Sequence, residues 1–423
     1  MEDLHFYILT FNCARNLIHR ERFAAHLFDV LPPSKAAPEV LVLNLQEIAP
    51  IAYGFLGGSF IDPYVDAFND AVNAACKIRW PREEVKYVNH VTNNCGLTVL
   101  LVFVRSDVAD RISWTDTAEV GVGVQEMGNK GAVGARLGYS YSSDETVDFT
   151  FVAAHIAPME DAYHRRNQDW RSIVERLVFT KGSPGRGEID DRDEDTARLL
   201  QEERNSGQSS MYTPRSHLFF AGDLNYRTSD VPPAIKDYAR FPQPDAAPED
   251  AAHYSRLLTN DQLTRERRAK RTLYGLSEAA INFPPTYKYS YQAQLAALED
   301  KEPTVWQWSK HRWPSCVQVH GYNALPLFPT SDHRAVALAV TVPLKPIPRP
   351  PPSSFDDDVR VNPPFSIDPN WKSRRVSARV KEAVVGGLAY LVLTREGNGF
   401  LLAAAIGMFG GWFVLQSLVM GDA

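Results

Sequence analysis

Along this chain, runs of apolar and β-branched residues repeatedly stop at, or start from, side chains able to bind or do chemistry. Phe6-Tyr7-Ile8-Leu9-Thr10-Phe11 ends on Asn12, Val40 to Leu45 ends on Gln46-Glu47, and Phe149 to Ala154 ends on His155. Leu218-Phe219-Phe220-Ala221 stops at Gly222-Asp223-Leu224-Asn225, and Ser331-Asp332-His333 precedes the run Ala335 to Val340. Short continuous apolar runs of this kind predict buried strands. Gly222 lets the backbone turn, so that Asp223 and Asn225, two apart, point to one side. A lone Glu or His at a strand end is ordinarily solvated or hydrogen-bonded. Five such ends carry weight by repetition.

Between these runs, Asn94 to Val104 predicts one long strand, and Val120 to Leu137 predicts strand, Gly-rich turn, strand. Gly128 and Gly131 flank Asn129-Lys130, which suits either an ordinary hairpin turn or a cradle of backbone N–H groups and one ammonium for a phosphate. Asp161 to Phe179 has helical spacing, with Trp170, Ile173, Val174 and Leu177 on one face. Helical potential recurs at Arg22 to Val30 and at Tyr254 to Leu276. Residues 181–210, rich in Gly, Asp, Glu and Arg, read as a mobile insertion. In Phe283-Pro284-Pro285-Thr286-Tyr287-Lys288-Tyr289 two prolines enforce an extended approach and present Tyr287 and Lys288 on a loop.

Beyond Val340 the composition changes. Residues 1–342 form one catalytic-sized domain, 343–370 a Pro-rich extended linker, and 371–398 a basic juxtamembrane segment with Lys372, Arg374, Arg375, Arg379 and Lys381. Residues 399–420 carry no charge, and roughly 20 mostly apolar residues suffice to span a bilayer. Geometry thus points to a C-terminal tail anchor, with a buried core helix or an interfacial helix as the alternatives. The formal charge of −6 over 423 residues argues against wrapping a nucleic-acid backbone. Four widely spaced cysteines without a C-x-x-C pair point to neither a zinc site nor a disulfide scaffold. The N-terminus lacks a secretory signal pattern, which places the domain in the cytosol.

With those residues assembled, residues 4–342 resemble the inositol polyphosphate 5-phosphatases of the endonuclease/exonuclease/phosphatase superfamily, in the fungal-type, tail-anchored manner of a phosphatidylinositol 4,5-bisphosphate 5-phosphatase. The most specific pieces are Phe220 to Arg227, Met127-Gly128-Asn129-Lys130-Gly131 and Phe283 to Tyr289. The resemblance implies an α/β fold, a four-layer sandwich of two mainly antiparallel sheets flanked by helices, with a C-terminal transmembrane helix added. It implies that Asn12 and Glu47 hold Mg²⁺, that Asp223 and Asn225 position and activate water, and that His155 and His333 bear on the phosphoryl oxygens with Asp332 in support. Asn129, Lys130, Tyr287 and Lys288 match the positions that read the other ring phosphates.

One departure stands out. Where the family has a Trp-(Cys or Thr)-Asp-Arg run, Trp313-Pro314-Ser315 leads here to Cys316-Val317-Gln318, so the Asp expected to orient His333 is absent. Intact flanks suggest a gene-model error or splice form that removes about a dozen residues, most of one core strand. The implied function is Mg²⁺-dependent removal of the 5-phosphate from a phosphoinositide lipid at a cytosolic membrane face. The endoplasmic reticulum is the expected membrane, and no obligate protein partner is expected. The alternative is a catalytically impaired phosphoinositide-binding or scaffold protein.

Overall fold

The computed structural model describes residues 3–142, 145–181, 209–232, 234, 246–251, 253–299, 320–345, 347–348, 351 and 357–420. Most of the insertion at 181–210, the departure at Cys316 and part of the 343–370 linker lie outside these residues. The elements in chain order are β1 (Asp3–Asn12), α1 (Arg20–His26), β2 (Val40–Gln46), α2 (Ile51–Leu56), α3 (Asp62–Arg79), β3 (Tyr87–Cys95), β4 (Thr98–Arg105), β5 (Ile112–Gly121), β6 (Gly131–Ser140) and β7 (Thr146–His155). Then follow α4 (Tyr163–Arg176), β8 (Thr180–Lys181), β9 (Ser216–Asp223), α5 (Gln262–Arg268), α6 (Tyr291–Leu298), β10 (Gly321–Leu327), β11 (Arg334–Pro343), α7 (Trp371–Leu393) and α8 (Arg395–Met420).

Two sheets result, ordered β10-β11-β1-β2-β4-β3 and β8-β5-β6-β7-β9. Each is antiparallel except for one parallel pair, β1 with β2 and β7 with β9. Alternation along the strands explains why the apolar runs are continuous. In β1, Phe6 and Ile8 enter a core shared between the two sheets, while Tyr7, Leu9 and Phe11 enter a second core beneath α1 and α3. Phe6 packs edge-on against Phe149 and Phe219 of the opposite sheet, with ring centroids 4.8 Å and 5.5 Å away. A third core lies between the five-stranded sheet and α4, built around Trp170, Ile173 and Val174.

Several elements differ from the sequence expectation for local reasons. Asn94 to Val104 is not one strand: the chain reverses between β3 and β4, where Gly96 has φ +55°. The stretch from Tyr254 is not one helix either. A 3₁₀ turn over Tyr254–Asn260 ends at Asp261, whose side chain accepts from Thr264 N and starts α5 afresh. The basic stretch after the linker is helix α7, packed against α2.

Candidate active site

The same alternation that builds the inter-sheet core builds the site. Continuing the inward-facing positions to the strand ends gives Phe6-Ile8-Thr10-Asn12 on β1, Phe149-Phe151-Ala153-His155 on β7 and Phe219-Ala221-Asp223 on β9. The parallel pairings align these ends, with Asn12 opposite Gln46 and His155 opposite Asp223. Strand β11 runs antiparallel to β1, so its start brings His333 to the same end. Polar side chains therefore close one mouth of the apolar gap between the sheets.

Asp223 is the hub. Its Oδ2 accepts from Asn12 Nδ2 at 2.9 Å and lies 3.5 Å from His155 Nε2. Its Oδ1 accepts from the backbone N–H of Asn225 at 3.2 Å. Asn225 donates from Nδ2 to Ile156 O at 2.9 Å, and its buried Oδ1 has no protein partner among the described residues. Gly222 is required twice over: it has φ +154°, and a Cβ there would stand 1.9 Å from Ala154 O. Asn12, Asp223, Asn225 and His333 line one pocket with Thr10, Gln46, Thr286 and Arg334.

Glu47 follows the end of β2 with φ +47°, and its carboxylate pairs with Arg15 at 3.0 Å and with Lys130 at 3.4 Å. Asn12 Oδ1 accepts from Ala14 N and retains a second lone pair. Asn12 and Glu47 thus offer oxygen donors from adjacent strand ends, a set suited to a hard divalent cation. Among the described residues no three His, Cys, Asp or Glu side chains converge on one point. Burial, with Glu47 adding to it, pushes the Cys13 thiol up and leaves it neutral.

His333 stacks on Tyr287 with centroids 4.1 Å apart, and Asp332 Oδ1 lies 3.7 Å from His333 Nε2, longer than a hydrogen bond. Lys288 pairs with Asp332 at 3.3 Å. The loop carrying Tyr287 and Lys288 is drawn in by backbone bonds from Tyr289 N to Asp332 O and from Arg334 N to Thr286 O. The two lysines expected to read ring phosphates therefore both rest on carboxylates of the site. Asn129 is not gathered into the pocket: its Oδ1 accepts from Val124 N within its own loop. The Gly128 N–H donates to Glu382 of α7 at 2.8 Å.

Three contributors carry no role in the sequence reading. Ser331 Oγ donates to Asn12 O at 2.6 Å and accepts from His333 N at 3.1 Å, tying the two strand ends together. Its place in Ser331-Asp332-His333 is the only local signal. Arg15 and Glu382 act through partners distant in sequence, so nothing local marks them.

A family profile described as Endonuclease/Exonuclease/phosphatase family 2 matches residues 9–339. Polyphosphatidylinositol phosphatase INP53 of Saccharomyces cerevisiae is 26% identical over 316 residues, which is 72% of this chain and 24% of that protein. Phosphatidylinositol 3,4,5-trisphosphate 5-phosphatase 2B of Danio rerio is 30% identical over 224 residues, 52% of this chain and 14% of that protein. The chain thus spans about a quarter or less of the length of these relatives. Among solved structures, the inositol polyphosphate 5-phosphatase domain of SPsynaptojanin, in complex with inositol (1,4)-bisphosphate and calcium ion, superposes with a TM-score of 0.55 at 20% identity, covering 81% of this chain and 85% of that one. The profile match over residues 9–339, more than half of the chain, establishes that the chain belongs to the endonuclease/exonuclease/phosphatase family 2.

Proposed function

We propose that this protein removes the 5-phosphate of phosphatidylinositol 4,5-bisphosphate with Mg²⁺, at the cytosolic face of the membrane that holds α8. The observation that carries this is the Asp223 hub: a buried carboxylate between the Asn12 amide and the His155 imidazole, at the mouth of a pocket. Asp223 accepts the proton of an attacking water, and Asn225 Oδ1, which has no protein partner among the described residues, accepts that water's second O–H and so aims it. His155 and His333 donate to phosphoryl oxygens. Held by Asn12 and Glu47, the divalent ion supplies positive charge against the phosphate. Lys130, Tyr287 and Lys288 face the remaining ring phosphates.

The apolar α8 supports a lipid substrate: residues Arg395–Gln416 are long and apolar enough to cross a membrane and are unburied. Basic residues just before it, among them Arg374, Arg375 and Lys381, favour a cytosolic domain. This moderately basic flank fits the endoplasmic reticulum, the host membrane we propose.

The missing Asp-Arg run, where Trp313-Pro314-Ser315 leads to Cys316-Val317-Gln318, favours a second reading, a phosphoinositide-binding protein with impaired turnover. Phosphate release from short-chain phosphatidylinositol 4,5-bisphosphate with Mg²⁺ decides between them. The enzyme reading expects the Asp223→Ala variant to lose about 10²-fold or more. Equal release by both proteins leaves only the binding reading.

A further inference from the structure

Helix α7 is built inside out. Three of its charged residues turn toward the protein: Glu382 is fully buried, Arg375 pairs with Glu119 and Glu382, and Arg379 pairs with Glu382. Arg379 also donates to the carbonyls of Phe55 and Leu56 at the end of α2. Ala378 and Gly386 complete this inward face, and a Cβ on Gly386 would lie 2.9 Å from Phe55 Cβ. The outward face carries Val376, Val380, Val384, Leu388 and Val392, each 57–61% exposed. From Val376 to Leu393 the charges are confined to Arg379, Lys381 and Glu382, which reach to the α2 carbonyls, to Gln125 and to Gly128, and none lies on the line of Val376, Val380, Val384, Leu388 and Val392. A helix facing water has the opposite polarity, and a continuous exposed apolar stripe marks a contact surface.

The stripe does not end in solvent. At Thr394 the helix breaks, Thr394 Oγ1 accepts from Gly397 N, and α8 begins. Phe400, Leu402, Ile406, Met408 and Phe413 of α8 are all more than half exposed, so the apolar surface of α7 runs directly into a helix of membrane-spanning length. At the other end Lys372 is exposed and can meet a headgroup, while Arg374 pairs with Glu126 and Asp368. Because the inward face holds the Gly128–Lys130 loop through Glu382, a helix lying on lipid would also hold the site's edge there.

We propose that the outward face of α7 lies in the headgroup–acyl boundary of a lipid bilayer, making α7 a bracket between that surface and the Gly128–Lys130 loop. This rests on the reading of α8 as a membrane span. The test uses the full chain in vesicles of phosphatidylcholine and phosphatidylserine. Cys13, Cys76 and Cys95 are buried, so in a Cys316→Ser background a nitroxide reports from a single site. Labels go on Val384→Cys in α7, Phe409→Cys in α8 and Lys77→Cys on exposed α3 as the aqueous reference.

The expected result is an oxygen-to-nickel-chelate collision ratio at 384 about fivefold or more above that at 77, as for an interfacial helix. A water-like ratio at 384 with a lipid-like ratio at 409 overturns the bracket and leaves the span. Water-like ratios at both overturn the two together. Spin–spin broadening at 384 that vanishes on dilution with unlabelled protein, without oxygen collision, assigns the face to a second copy of the chain and overturns the lipid contact.

Discussion

Replacing Glu382 by Gln tests whether α7 orders the Gly128–Lys130 loop. The carboxylate accepts from Gly128 N at 2.8 Å, from Arg375 Nη1 at 2.9 Å and from Arg379 Nη1 at 3.0 Å, with its side chain wholly buried. A hydrogen bond to a charged group contributes about 1.5–3 kcal/mol, and breaking a buried ion pair costs about 3–5 kcal/mol. Both guanidiniums keep other acceptors, Glu119 for Arg375 and the α2 carbonyls for Arg379, which puts Glu382→Gln at the low end. A loss of about 3 kcal/mol corresponds to roughly a hundredfold more frequent local opening. Hydrogen exchange read on peptides across residues 121–131 should accelerate by that order, with peptides from β1 and β7 unchanged. If melting temperature falls while exchange in the loop stays within about threefold of wild type, Glu382 stabilises α7 without ordering the loop.

Three further variants probe the site and the scaffold. Gly222→Ala forces a Cβ against Ala154 O and should lower unfolding free energy by about 2–3 kcal/mol in urea, so an unchanged midpoint would contradict the close approach. Glu47→Gln removes a charged oxygen donor and the partner of Arg15 and Lys130. The Mg²⁺ concentration for half-maximal phosphate release should rise about tenfold or more, and an unaltered metal dependence would take Glu47 out of the metal site. Arg271, then Asn167 and Arg265, hold the Glu266 carboxyl down at about 2, against burial pushing it up. A depressed carboxyl stabilises the fold above its usual 4.5 and loses that contribution as pH falls toward 2. Glu266→Gln should therefore lower the melting temperature more at pH 7 than near pH 2, and equal shifts at both would refute the sign.

Strand cores and their polar termini were legible because period-two alternation is local. Phe149-Phe151-Ala153-His155 shows in four positions both which face is buried and where it stops. Misreadings occurred where a single residue overrode a longer pattern. Gly96 turned one apolar run into a hairpin, and Asp261 capped a new helix inside a stretch of continuous helical composition. The basic residues of α7 show the third kind of limit. Their charges are plain, yet Arg375 and Arg379 find Glu119, Phe55 and Leu56 more than 250 residues away.

The amino-acid order alone determined the buried strands, the glycine at Gly222 and the all-round apolar helix near the C-terminus, since each depends on neighbours within a few residues. Only the tertiary structure decided that Asn12, Asp223 and His155 meet. That contact depends on two parallel pairings and on the packing of one sheet face against another, which are long-range choices with no local period. It also decided the orientation of α7, because a helix carrying both charges and valines can present either face until a buried carboxylate such as Glu382 is met by donors from elsewhere in the fold.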